Sequence, residues 1–214
     1  MKFLNFNRVL CLSPHPDDVE YSMLGTIIKH NSTTFDVLCL TKGGAKGFDK
    51  TNELDRLGEV KTTWQEANVN NVNLLFSDCN YFEDKNGDAG WVNYIENNFL
   101  KKINYDCIFL PTKIDSMFEH RFVNGLGPAL VRILPISLVE YQTPSTTNEW
   151  KPNIFVDIED YYNKKLKCLN HFTSQISKSY FQTDTLEAFH SNFQCRKRGI
   201  KIIEQFKSIE IFNK

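Results

Sequence analysis

The sequence predicts an α/β fold: a mostly parallel, Rossmann-like sheet with helices on both faces. Two observations carry this. Strand-like and helix-like patterns alternate along the chain, as in repeated βα units. Several strand-like runs are apolar at successive positions, as in Val9-Leu10-Cys11-Leu12 and Cys107-Ile108-Phe109-Leu110, the mark of strands buried on both faces. No repeat and no linker rich in Gly, Pro or Ser divides the 214 residues. That length suits one sizeable core, so residues 1–214 are read as a single domain.

The elements follow in order. Residues 9–12 form a first strand, closed by the Pro-flanked turn Ser13-Pro14-His15-Pro16. Residues 19–29 are helical, and 35–41 form a second strand. In 52–68 Leu54, Leu57, Val60, Trp64 and Ala67 recur at spacings of three and four, which predicts a helix. A strand over 72–76 precedes a helix over 91–103, with Trp91, Ile95, Phe99 and Ile103 on one face. Strand 106–110 stops at Pro111; helix 119–133 and strand 137–142 come next. A sixth strand is expected at 153–156, and two helices, 159–172 and 185–206, complete the reading. The segments after the first four strands would gather at one sheet edge, where open α/β sheets bind ligands.

Bulk properties narrow the partners. A net charge of −1 gives no attraction to nucleic acid or an anionic membrane. The basic cluster Arg196-Lys197-Arg198 is most simply a solvated face. No apolar run is long enough to span a bilayer, so no membrane insertion is expected. Six cysteines without a C-x-x-C pair suit a reducing compartment, and a cytoplasmic protein is expected.

The chemistry concentrates after the first strand. His15, Asp17 and Asp18 lie within four residues, and imidazole with carboxylate is a donor set for zinc and related divalent metals. Either Asp alone would read as a helix N-cap; three together are less easily explained so. Adjacent carboxylates in a turn point different ways, so one can bind metal while the other faces substrate. A third ligand is needed, and His120 is the best candidate. Ser116 and Glu119 have capping-box spacing, which starts a helix there and puts His120 in its first turn. Arg56 and Glu59 read either as a surface ion pair worth well under ~1 kcal/mol or as a functional pair, with Arg56 at the mouth of the site on a substrate hydroxyl or phosphate. Asp78 is a turn residue or an acceptor for a polyol. Residues 42–47 are glycine-rich but match neither phosphate-binding fingerprint, and read as a flexible loop. His30, His171 and His190 read as structural or surface.

Several of these residues together resemble the LmbE/PIG-L family of zinc-dependent N-deacetylases. The resemblance rests on Pro14-His15-Pro16-Asp17-Asp18 with Leu24-Gly25, on Arg56 to Glu59 as R-x-x-E, and on Asp115-Ser116-Met117-Phe118-Glu119-His120 against D-x-H-x-D-H. The segment from Tyr141 to Trp150, Ser174-Gln175 and Gly199 to Phe206 extend it along the chain. It implies His15, Asp18 and His120 as zinc ligands, with iron or cobalt equally acceptable to that donor set. It implies Asp17 as general base and Arg56 and Asp78 as sugar contacts. The reaction implied is removal of an N-acetyl group from an amino sugar or its nucleotide- or lipid-linked form. The chain departs from the pattern at Met117, where the family carries a His thought to stabilise the oxyanion. A thioether cannot supply that donor. A zinc-bearing, sugar-binding relative with little turnover is therefore the second reading, and a nucleotide-binding α/β protein the third.

Overall fold

The computed structural model describes residues 3–43, 55–77 and 79–212. Seven strands form one sheet: β1 Arg8–Ser13, β2 Thr34–Cys39, β3 Val72–Phe76, β4 Cys107–Pro111, β5 Ser137–Tyr141, β6 Ile154–Asp157 and β7 Ile203–Glu210. Their order is β3-β2-β1-β4-β5-β7-β6. β1 to β5 run parallel, and β7 is antiparallel to both β5 and β6. The helices are α1 Asp18–Lys29, α2 Arg56–Ala67, α3 Gly87–Ile95 (extended by a π-turn, Glu96–Leu100), α4 Phe118–Val131, α5 Glu159–Leu169, and the short α6 Thr183–Phe189 and α7 Phe193–Arg196. No helix among the described residues is long and apolar enough to cross a membrane.

Alternate residues of the central strands feed two cores. Val9, Cys11, Phe35, Val37 and Phe109 pack with Val19, Met23 and Ile27 of α1, Val60 and Trp64 of α2, and Leu169 of α5. Leu10, Leu12, Leu38 and Ile108 point the other way, onto Trp91 and Ile95 of α3 and Val123, Leu126 and Leu130 of α4. This two-sided burial is what the apolar strand runs required. The order reverses between β1 and β4, so the loops after these strands diverge and leave a crevice.

The predicted helix over 185–206 is corrected. Its first half breaks into α6 and α7, Gly199 takes a positive φ of 86°, and Ile203 begins strand β7. Four successive buried residues, Ile203 to Phe206, fill both faces of the sheet. Glu204 stands among them, its carboxylate buried and neutralised. Lys165 Nζ of α5 lies 2.5 Å from Glu204 Oε1 and also donates to the Tyr21 carbonyl of α1 at 2.5 Å. In a regular helix that carbonyl would receive the Gly25 amide. The Gly25 and Thr26 amides donate to Glu204, at 2.9 and 2.6 Å. The ion pair thus engages α1 at both the Tyr21 carbonyl and the Gly25 and Thr26 amides. It requires Gly25, because a Cβ there would lie 2.8 Å from Ile158 and 3.1 Å from Glu204.

Removing one partner of such a pair strands a buried charge. Lys165→Met is expected to cost about 3–5 kcal/mol in urea unfolding. The double variant Lys165→Met/Glu204→Gln should recover part of that loss, since no uncompensated charge remains.

Candidate functional site

The turn between β1 and α1 is held open by unusual backbone. Asp17 has φ 125° and occupies the N-cap position of α1, but its side chain makes no capping bond. A non-glycine residue at that φ carries about 1–3 kcal/mol of strain, so the surroundings must fix it. They do so through Arg56, the first residue of α2 and itself buried. Its Nη2 donates to the Pro16 carbonyl at 2.7 Å and to Asp17 Oδ2 at 3.0 Å; its Nη1 donates to the Gly43 carbonyl at 3.0 Å. The Arg56 guanidinium therefore lines the cavity but is largely engaged by the protein's own groups. It makes no surface pair with Glu59.

Asp18 turns the other way. Its Oδ2 accepts the His15 amide at 2.8 Å and lies 3.2 Å from His15 Nδ1. Its Oδ1 lies 3.2 Å from His120 Nε2 in the first turn of α4. His15, Asp18 and His120 each offer a ligand atom, all within 4.8 Å of one another. His120 Nε2 is buried and has no hydrogen-bond partner, so the two groups face a shared point rather than bond to each other. That geometry, with two imidazoles and a carboxylate, fits a divalent cation.

The other face of His120 is fully supported. Its Nδ1 lies 3.2 Å from Asp115 Oδ2, from Thr143 Oγ1 and from Ser145 Oγ. Asp115 in turn accepts from Thr143 Oγ1 at 2.5 Å, Ser145 Oγ at 2.7 Å and the Met117 amide at 2.8 Å. A ring nitrogen that bonds a carboxylate leaves the opposite nitrogen free for a metal. The expected Ser116–Glu119 capping box does not form. Ser116 Oγ donates to the Ser145 carbonyl at 3.1 Å, and Met117, without a side-chain capping bond, occupies the N-cap.

The two adjacent carboxylates are driven apart electrostatically. Burial pushes the Asp17 carboxyl up, against the pull of Arg56, to about 6. Burial would raise Asp18 too, but His120 and His15 hold it well below the carboxylate range. Burial disfavours a charged His120, yet Asp18 and Asp115 overcome this and raise it to about 10 in the absence of metal.

A cavity of about 300 Å³ opens over this cluster. Its lining includes His15, Asp17, Asp18, Arg56 and His120 from the predicted set, with Gly43 and Met117. Gly44 to Gly47 and Asp78 lie outside the described residues. The opposite wall, Gln175, Lys178, Tyr180 and Phe181, was not anticipated beyond the Ser174-Gln175 motif. Glu59 holds that wall in place. Its carboxylate accepts from Thr173 Oγ1 and the Ser174 amide, both at 2.7 Å, and from Ser174 Oγ at 2.6 Å. Thr143 and Ser145 were visible only as part of a motif segment, and Asp115 as the first residue of another.

Fold and site together define an α/β protein with a candidate metal centre at the topological switch point of its sheet. Residues 10–131, more than half of the chain, match the model of the PIG-L family, GlcNAc-PI de-N-acetylase, and the chain belongs to that family. A search of curated protein sequences gives no match. Among solved structures, the N,N'-diacetylchitobiose deacetylase of Pyrococcus horikoshii is 23% identical. Its TM-score is 0.74, and the match covers 97% of this chain and 85% of that one. The A40926 pseudoaglycone deacetylase Dbv21 is 12% identical at a TM-score of 0.72, covering 97% and 99%. GalB, the 4-carboxy-2-hydroxymuconate hydratase of Pseudomonas putida KT2440, is 15% identical at a TM-score of 0.70, covering 100% and 98%. At these identities the likeness is one of fold.

Two measurements check this site. In metal-free protein the His120 ring signals should titrate by NMR near 10. Because that pKa is raised from 6.5, the stability it confers is complete below about 6.5 and is lost as pH rises through about 10. Glu59→Ala, which orphans three donors, is expected to speed amide exchange across 173–181 and to cost about 1–3 kcal/mol.

Proposed function

We propose that the chain is a metal-dependent hydrolase that removes the N-acetyl group from an amino sugar or sugar conjugate. Membership of the de-N-acetylase family supports the reaction class. The observation that carries it to this chain is the convergence of His15, Asp18 and His120 beside an uncapped Asp17 that faces the same cavity. His15, Asp18 and His120 would hold the metal, zinc in the first instance and iron or cobalt by the same donor set. Bound there, such an ion polarises a carbonyl and lowers the pKa of water.

The protein groups divide the remaining work. Asp17, raised to about 6, is mostly ionised at neutral pH and still basic enough to accept a proton from water. The same carboxyl can then return the proton to the departing amine. Arg56 fixes the orientation of Asp17 without competing for the proton, since a guanidinium stays charged. Asp115 holds the His120 tautomer. Asp78 remains a proposed sugar contact, and Arg56 acts chiefly through Asp17. Met117 contributes no donor to the cavity, which favours, as a second reading, a sugar-binding member of the family with slow turnover. All six cysteines are free and buried, in keeping with a cytoplasmic site of action. We assign residues 1–214 to one catalytic domain.

Protein purified without added metal should carry close to one equivalent of a divalent ion by plasma mass spectrometry, and His120→Ala should lose it. Asp17→Asn should keep the metal yet release free amine from N-acetylglucosamine conjugates at least ~100-fold more slowly. In the native protein the rate should fall on the acid side as Asp17, whose carboxyl burial pushes up, becomes protonated. A metal-free protein that takes up no zinc would end the hydrolase reading.

A further inference from the structure

The wall opposite the His–Asp cluster holds two groups that the proposed hydrolysis does not use. Gln175 is buried, lines the cavity, and its Oε1 has no hydrogen-bond partner. The amide orientation is fixed by neighbours. Ser174 Oγ donates to Glu59 Oε2 at 2.6 Å, which leaves that hydroxyl oxygen to accept Gln175 Nε2 at 2.9 Å. Gln175 Oε1 is therefore a preset acceptor awaiting a donor. Three residues on, Lys178 lies at the exposed edge of the same cavity. Its Nζ sits 5.6 Å from the centre of the Tyr180 ring, and among the described residues it makes no ion pair. The charges that act on it are Asp17, Arg56 and Asp18. Asp17 is bonded to Arg56 and Asp18 faces the two histidines, and Glu119, the remaining carboxylate of the lining, makes no ion pair with Lys178.

We infer that Gln175 and Lys178 form a substrate subsite that takes a hydroxyl or amide donor at Gln175 and an anionic group at Lys178. The inference rests on the deacetylase reading for the sugar but not for the charge. Lys178 and Asp17 line one cavity of about 300 Å³, so the anion that Lys178 meets is carried by the same sugar as the reacting amide. On a 2-acetamido sugar the neighbouring positions are C1 and C3. The chemical class is thus an N-acetyl amino sugar bearing phosphate at C1 or a carboxylate-bearing ether at C3.

Calorimetric titration of the protein as purified tests this with N-acetylglucosamine, N-acetylglucosamine 1-phosphate and N-acetylmuramic acid. It returns a Kd where there is no turnover and a KM where there is. One of the two anionic sugars should bind about tenfold more tightly than the neutral one, the value of a charge-assisted hydrogen bond. Which of the two does so identifies phosphate or carboxylate. Lys178→Met should abolish the preference, Lys178→Arg should keep most of it, and added salt should weaken it. Equal affinity for all three sugars, or an undiminished preference in Lys178→Met, overturns the subsite. Amine release without charge preference would overturn the subsite alone. Charge preference without amine release would leave the subsite standing and remove the hydrolase reading.

Discussion

The Arg56 guanidinium is the constraint on which the cavity depends. It reaches the loop after β1 through Pro16 and Asp17 and the loop after β2 through Gly43. It is the only side chain that bonds the Asp17 carboxylate among the described residues, at a residue held at φ 125°, and relaxation of that one residue would redirect both carboxylates of the turn. Gly43 is part of the same arrangement, because a Cβ there would fall 2.0 Å from Arg56 Nη1. A lysine could neither reach three acceptors in one plane nor stay charged at every pH.

From that constraint follows a division between neighbours. Asp17 and Asp18 are adjacent in sequence and both buried, yet one is raised and the other lowered. Different partners cause this: one guanidinium already shared with two carbonyls, against two imidazoles. Carboxyls whose environments separate their proton affinities can take separate chemical roles. The fold itself does not choose the reaction. The same architecture in GalB carries a hydratase, so the side chains at the switch point decide.

Much of this was legible in the sequence. The strands announced themselves as apolar or alternating runs, and the alternation with helices placed the loops after the first four at one sheet edge. The His-Pro-Asp-Asp turn was conspicuous because its residue types are chemically dense. What stayed hidden needed three dimensions. Glu59 looked like a partner for Arg56 one turn away, but it bonds a segment more than a hundred residues later. Lys178 has no local signature at all. β7 was misread as the end of a long helix, and the burial of Glu204 within it depends on Lys165, far off in sequence. Ser116 and Glu119 had the right spacing for a cap, but the Ser145 carbonyl accepts both the amide and the hydroxyl of Ser116.

The position of β7 has a consequence for the order in which the protein can be built. It is the last strand in sequence, yet it lies between β5 and β6. As the chain leaves the ribosome, β6 has no neighbour to join until β7 emerges. Over the same interval Lys165 lacks its counter-charge, and the amides of Gly25 and Thr26 lack their acceptor. The residues around His15 and His120 are synthesised long before, but the helix that follows the His-Pro-Asp-Asp turn gains its contacts with Glu204 only when that strand is in place. The crevice is therefore supported by a segment that comes late in the sequence and contributes no residue to its lining.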